Sequence, residues 1–592
     1  MSQAHTFRNI FLLVFCLLAS LSASAQKLNT NFFGIEPIKF GYGSYNAIPK
    51  KTCCGQPQDS IETFTLIGAY YSLKSGQETV LMFNNKAPQP LVVTPVFFNL
   101  NGERLDLPVL SIPGKSYQEY NVRDLLAGHL TQFKEGSLQV SHQGGRLQLG
   151  AQFKILKGGM IFDEQFIQPA TRFPSNRLES VWWLPSTDAE TKFIISNTTG
   201  APVTATVSVD GTIPQQTQPE IIILNPHETR VLDILEDLFG EQGGDELKKE
   251  GGISITHNGA AGAVMARILV SEADTGFSSV YNFTDPTTPL SSKLNGGGLR
   301  IGAIGNDQLN AIIVARNIGA TTTTISGQIP YTDANGNVAF VTIPAIQINA
   351  GKSKSINLKQ AIQAANVPAS VTFAGINLEY STAPGTVLMN ALSVSQSGQQ
   401  VFRVPLLDPQ RLPSSAGGYP WKADAGFSTI LYITNETSET KKYVASLIYE
   451  GGKYSTGVYE IKGNQTLAID FRQLRDAHAA NVRGNLIPQN IEKGQIAWSV
   501  FGGENKTLSG RSEQVNLAQG ITSTYDCRNC SPIVTSSTAL FPARRKKKLA
   551  EQLISLWILI WKPAMGLKIR YRFTAKAGLA PTTRLQQSLT TD

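Results

Sequence analysis

One pattern occurs four times in this 592-residue chain at domain-sized spacing, and a repeat of that length constrains the fold more than composition does. Each copy opens on an apolar strand ending in Asn: Thr79 to Asn84, Lys192 to Asn197, Ile312 to Asn317 and Ile430 to Asn435. β-Branched and aromatic residues alternate along these segments, so one face of each is buried. Hairpin turns follow at Asn101-Gly102, Asp210-Gly211, Asn335-Gly336 and Gly451-Gly452, residues that reach positive φ without strain. A second turn comes at Pro113-Gly114-Lys115-Ser116, Pro226-His227-Glu228-Thr229, Ala350-Gly351-Lys352-Ser353 and Gly463-Asn464-Gln465-Thr466. Beyond it lie Asn121, Asp233, Asn357 and Asp470, each an N-cap before apolar residues at helical spacing, which predicts one short helix per copy. The first copy fits only with a one-residue slip. A closing hairpin through Gln143-Gly144-Gly145, Asn258-Gly259, Pro384-Gly385 or Gly502-Gly503 brings the unit to about seven strands.

Such units are too long for solenoid turns and long enough to bury cores of their own. The expected fold is therefore all-β, four tandem β-sandwich domains over residues 61–168, 169–285, 286–408 and 409–526. The breaks fall at Gln168-Pro169, Asp285-Pro286 and Asp408-Pro409, and the Pro-, Ser- and Gly-rich stretches after the last two read as linkers. Over roughly residues 61–526 the strand order and spacing resemble secreted bacterial proteins built from immunoglobulin-like or fibronectin-like sandwiches. The Cys, Trp and Cys framework of true immunoglobulin domains is missing, which leaves the wiring open. Flexible linkers predict an elongated monomer.

The ends of the chain point to a compartment. Arg8, the apolar run Ile10 to Leu21 and Ala23-Ser24-Ala25 form a signal peptide over residues 1–25, with Gln26 as the expected first mature residue. About 12 apolar residues fall short of the roughly 20 that span a bilayer. Export to the periplasm, cell surface or medium follows, and there Cys53, Cys54, Cys527 and Cys530 read as disulfide candidates, Cys527 bonding locally to Cys530. The first pair belongs to an N-terminal segment over 26–60, the second to a terminal segment over 527–592. That terminal segment turns abruptly basic at Arg544 to Lys548, then apolar from Leu553 to Trp561. It reads as a tail of doubtful origin, with membrane contact expected only if residues 544–563 are genuine. It also accounts for the charge: removing the tail's net +9 and Arg8 from the formal +8 leaves residues 26–542 at −2, without the footprint of a nucleic-acid binder.

Chemistry is sparse. Gly114-Lys115-Ser116 and Gly351-Lys352-Ser353 look like the end of a phosphate-binding loop, but its earlier glycine falls on Val109 and Ile346. Asp333-Ala-Asn335-Gly336-Asn337 suits a hairpin turn better than a calcium loop. His5, His129, His142, His227, His257 and His478 show no paired metal spacing, and no Ser lies in a nucleophile elbow. The carboxylate pairs Asp163-Glu164 and Glu236-Asp237 read as solvated surface. No catalytic residue, metal or cofactor is expected. Counting back 14 residues from each strand-ending Asn gives Tyr70, Trp183, Ala303 and Trp421, so Trp183 is expected inside and Trp182 outside. Trp182 is then the ligand candidate. The expected function is an exported, non-catalytic spacer or adhesion array contacting a protein or glycan at the cell surface. A carbohydrate-binding protein using Trp182 is the alternative, and a hydrolase on a sandwich scaffold ranks third.

Overall fold

Alternating apolar residues and Gly- or Asn-centred turns leave the chain little choice but short antiparallel strands. The computed structural model describes residues 63–526 apart from 75, 146, 212–218, 239–248, 411–413, 425, 482 and 503–506. The expected signal peptide over residues 1–25, all the cysteines and the basic tail lie outside the described residues. Within them the protein is all-β, its sheets falling into four pairs. The second sandwich shows the plan in eight strands: β1 (Arg177–Trp183), β2 (Glu190–Asn197), β3 (Val203–Gly211), β4 (Glu220–Leu224), β5 (Thr229–Asp233), β6 (Glu250–His257), β7 (Val264–Glu272) and β8 (Phe277–Asn282). One sheet runs β1-β6-β3-β4 and the other β5-β2-β7-β8. Immunoglobulin constant domains pair their first strand with their second; here the first strand pairs with the sixth, so the wiring is a different one.

The Asn that ends β2 is a built corner. Asn197 Nδ2 donates to the Ala201 and Asn225 carbonyls at 2.7 and 2.8 Å, and its Oδ1 accepts from Thr199 N at 2.9 Å. Asn317 and Asn435 repeat this geometry. In the first copy the role belongs to Asn85, not Asn84: Asn85 Nδ2 donates to Gln89, Ile112 and Pro113 carbonyls at 2.9, 3.0 and 3.0 Å. Asn84 is therefore not the corner residue the sequence suggested, and with Asn85 in its place the first copy reaches Asn121 without the one-residue slip expected there. The turn before β5 also recurs, with positive φ at Lys115, His227, Gly351 and Asn464. Asn121, Asp233 and Asp470 each accept a backbone N–H from the short helical segment that follows, as expected for N-caps; in the third copy Leu358 is the cap residue, and Asn357, one position earlier, accepts from Lys359 N.

Trp182 lies on the other face from the one expected. It is fully buried in the second core, whereas Trp183 is half-buried and meets Phe277 edge-on at 5.9 Å. Trp182 stands opposite Gly251 just as Tyr71 stands opposite Gly136 and Trp421 opposite Gly494, so these three rings are equivalent. Tyr71 and Trp421 lie fourteen residues before their corner Asn, but Trp182 lies fifteen before Asn197. One extra residue in the connection shifts the count, and in a strand a shift of one exchanges the two faces.

The four sandwiches do not form an extended array. The sheet carrying β1 in each copy packs its outer face on the β2-bearing sheet of the next copy, and the fourth closes on the first. The β1 strands of the first, third and fourth copies are Phe64–Ser72, Lys293–Arg300 and Ala416–Lys422; the corresponding β2 strands are Gln77–Asn85, Asp307–Asn317 and Ser428–Asn435. Tyr70, Ile194 and Leu269 join copies one and two; Val314 and Leu388 join the core of copy two. Leu309, Phe402 and Val515 bridge three and four, and Met82 and Tyr117 of the first copy pack into the core of the fourth. The four β8 strands, Met160–Gln165, Phe277–Asn282, Val401–Val404 and Ile521–Asp526, meet in the middle of this ring. The linkers are fixed: Asp285 accepts from Ser175 N and Asp408 from Leu290 N, both at 2.6 Å, tying each connection back to the start of its own copy.

Closure gives a direct test, because Lys422 Nζ of the fourth copy lies 2.9 Å from the Glu119 carboxylate of the first. A carbodiimide, which joins only touching amine and carboxylate pairs, is expected to couple these two side chains in dilute protein. Mass spectrometry that finds no peptide pair joining them would leave the ring open.

Candidate functional site

Because the interface is built four times, equivalent positions can be compared within one molecule. The residue before the corner Asn points out of β2 into the interface: Asn84, Ser196, Arg316 and Thr434. Opposite it, on β7 and its counterparts Leu149–Lys157, Val387–Ser395 and Leu508–Asn516, stand Gly150, Met265, Leu388 and Ser509, and two residues further along come Gln152, Arg267, Asn390 and Arg511.

Between copies two and three these positions are filled and paired. Arg316 donates to Glu179 at 2.8 Å, to Asp210 at 2.7 Å, and to the Ser180 and Ile253 carbonyls at 3.0 and 3.1 Å. Asn390 reaches the Val181 carbonyl at 3.2 Å. Between three and four, Arg511 donates to the Gly297 and Gly298 carbonyls at 2.6 Å while stacking over Tyr432 at 4.5 Å. Arg300 meets Glu513 beside it at 2.5 Å. Between one and two, Ser196 Oγ donates to the Ala69 carbonyl at 2.9 Å and Arg267 approaches Glu164 at 3.5 Å.

The seam between the fourth and first copies departs from this pattern. Gly150 supplies no side chain there, and the nearest atom to its missing Cβ is Asn84 Cβ at 3.6 Å. A cavity of about 300 Å³ remains, walled by Met82, Tyr117 and Phe166 from the first copy and Tyr419, Pro420 and Tyr525 from the fourth. Among the described residues, three polar side chains on its lining, all more than nine-tenths buried, lack the partners their counterparts have. Among the described residues Asn84 Oδ1 and both amide atoms of Gln152 have no hydrogen-bond partner. Lys86 follows the corner Asn85, the place that Glu436 holds in the fourth copy; Glu436 is bonded to Asn295 and Ser509, whereas the Lys86 amine has no ion pair among the described residues. Burial pushes the Lys86 amine down to about 8.

Below the cavity the seam is charged and paired. Lys154 donates to Gln514 Oε1 at 2.7 Å and lies 5.4 Å over Tyr525; burial pushes it down to about 7, against the opposing pull of Glu119. Glu119 takes Lys422 at 2.9 Å and the Tyr117 hydroxyl at 2.6 Å, which together outweigh its burial and hold it below the usual carboxylate range.

Asp163 and Glu164 are not surface. Both are buried where the β8 strands meet, beside a second cavity of about 110 Å³ lined from all four copies. Asp163 accepts from Thr524 N at 3.0 Å and pairs with Arg403, which donates to the Val280 carbonyl at 2.9 Å. Glu164 accepts from Ala69 and Tyr70 N–H at 2.6 and 3.2 Å. No spacing in the sequence flags these carboxylates, because folding alone brings Ala69 and Tyr70 to Glu164, and packing of the copies brings Arg403 and Thr524 to Asp163. Asp333 forms the expected hairpin turn, its Oδ1 accepting from Asn335 and Asn337 N–H at 2.9 and 2.8 Å. Lys115 lies in a left-handed turn before the first copy's strand Ser116–Asn121 rather than at a helix N-terminus. Among the described residues no three His, Cys, Asp or Glu side chains converge to hold a metal. Cys53, Cys54, Cys527 and Cys530 lie outside the described residues.

No family model matches the chain, and no curated protein matches it. Among solved structures, a glycoside hydrolase family 32 protein from Bifidobacterium adolescentis aligns over 76% of this chain and 99% of its own, at 9% identity and a TM-score of 0.13. A likeness that low carries no argument about fold or activity.

Proposed function

We propose that this chain is an exported, non-catalytic protein of the cell surface or medium, whose four sandwiches act as one closed body presenting contact sites to a protein or glycan. The observation that carries this reading is the recurrence of exposed apolar residues on the outer strands. β4 is the edge of its sheet farthest from β1. Ile221 and Ile223 on the second copy's β4 are 67% and 57% exposed, and Phe340 and Val458 occupy the equivalent strands Val338–Ile348 and Gly452–Ile461. In the first copy Val92 and Val109 flank the same edge. Large apolar side chains on an exposed sheet edge favour association with another chain, and natural edges ordinarily carry charges that prevent it. The stacking platform that a carbohydrate-binding reading needs is not at Trp182, which is buried.

The test combines location and contact. Fractionation of producing cells is expected to recover the protein in the exported fraction beginning at Gln26; a cytoplasmic protein retaining Met1 would end the export reading. Purified labelled protein is expected to bind intact cells or an array of extracellular proteins and glycans. A variant with Ile221, Ile223, Phe340 and Val458 all changed to Lys is expected to bind at least fivefold less. Equal binding by that variant removes the edge strands from the contact, and no binding by the parent protein removes the adhesion reading.

A further inference from the structure

The seam between the fourth and first copies differs from its three counterparts in the way a binding site differs from a structural contact. At the other seams, side chains at the equivalent places fill the space and bond across it, as Arg316, Asn390 and Arg511 do. Here Gly150 leaves the space, and among the described residues Asn84 Oδ1 and the Gln152 amide line it without a hydrogen-bond partner, while no ion pair reaches the Lys86 amine. Buried polar groups are almost always satisfied, and leaving one without a partner costs about 1–3 kcal/mol. A mostly apolar cavity with a few convergent polar groups is the usual form of a small-molecule site, and about 300 Å³ is at the lower end of that range.

We propose that the cavity between the first and fourth sandwiches binds a small organic acid, its carboxylate on the Lys86 ammonium and its apolar body against Met82, Phe166 and Tyr525. The volume admits roughly a dozen non-hydrogen atoms, since it equals about ten water-sized shares of liquid at 30 Å³ each. A lysine offers three donors and no acceptor, so its missing partner is an acceptor, and an anion satisfies it best. Asn84 Oδ1 and the Gln152 amide would receive a second polar group on the ligand, such as a hydroxyl. The other titratable groups on the lining are Arg172, Tyr117, Tyr419 and Tyr525; none is a carboxylate that would repel the anion.

The experiment is calorimetric titration of the full chain with two acids, octanoate and 3-(4-hydroxyphenyl)propionate, each beside its neutral amide. At pH 7 at least one acid is expected to saturate one site per chain, at least tenfold tighter than its amide. Lys86→Met should weaken that acid at least tenfold. Gly150→Leu, which fills the cavity from a position with no close contact to its Cβ, should abolish binding of acid and amide alike. Circular dichroism and thermal unfolding of both variants verify that the ring is intact. Raising the pH through 8 should weaken acid binding to the parent protein by up to tenfold per unit, because the free amine must then take up a proton to receive the anion. The proposal is overturned if neither acid saturates, if the amides bind as tightly, or if Lys86→Met binds like the parent. None of these outcomes bears on the outer-strand contacts, which the four-Lys variant tests separately.

Discussion

Arg316→Ala is expected to destabilise the protein by about 3–5 kcal/mol, the usual cost of removing one partner from a buried ion pair. Arg316 is 4% exposed and its partner Glu179 is fully buried, so the substitution takes one of two cations from a carboxylate that water cannot reach. Asp210 loses its cation too, although it is less deeply placed. Glu179 keeps Arg177 at 2.6 Å and Ser254 Oγ at 2.6 Å, which bounds the damage to one seam. The loss should appear as a lowered urea midpoint together with new protease cutting near residues 286–292, where the second copy passes into the third. Adding Glu179→Gln and Asp210→Asn to Arg316→Met should recover part of the loss, since neutral groups are cheaper to leave buried. An Arg316→Ala protein within 1 kcal/mol of the parent would mean that the seam is not held by this cluster.

Lys86→Met should act in the opposite direction and raise stability by roughly 3 kcal/mol at pH 7. The amine is held near 8 in the folded protein against 10.5 in the open chain, a difference of about two and a half pH units at 1.36 kcal/mol each. Between those values the unfolded chain binds more protons than the folded one, so the parent protein gains stability as the pH rises from 8 to 10.5. Below pH 8 the penalty for burying the charge is present in full. Methionine carries no such penalty, so its advantage should be largest at pH 7 and shrink towards pH 10. Thermal unfolding of both proteins at pH 7, 8.5 and 10 measures this directly. A constant gap across that range would show that the methionine stabilises by packing alone. Stability gained while acid binding is lost is the trade expected of a site residue, and a purely structural lysine would not show it.

The repeat was legible because strands, turns and caps are local. Alternation marked the four β2 strands, and the Asn and Asp caps fell where short helical segments begin. The failures came from one-residue ambiguities and from distance. Asn84 and Asn85 are identical in the sequence, and only the carbonyls around Asn85 distinguish them. Trp182 and Trp183 are likewise adjacent, and an extra residue in one connection decided which of them faces the core. The cavity was not legible at all. Its walls come from residues more than 300 positions apart, and Lys86, Gln152 and Gly150 match no motif. What could have drawn attention was the repeat itself: aligned with Asn85 as the corner, the first copy has glycine where two others carry Met265 and Leu388. The linkers misled for a related reason. Pro-, Ser- and Gly-rich stretches suggest freedom, but Asp285 and Asp408 pin them.

Closure of the ring also fixes how the gene can change. In a linear array the end repeats expose faces that need polar caps, and units can be gained or lost between them. Here the fourth copy's β1-bearing sheet already covers the first copy's β2-bearing sheet, through Lys422 on Glu119 and Gln495 on the Asn85 carbonyl at 2.6 Å. A fifth sandwich added by duplication would find no face to occupy, and deletion of one would uncover two. Recombination among the copies is therefore penalised at every step away from four.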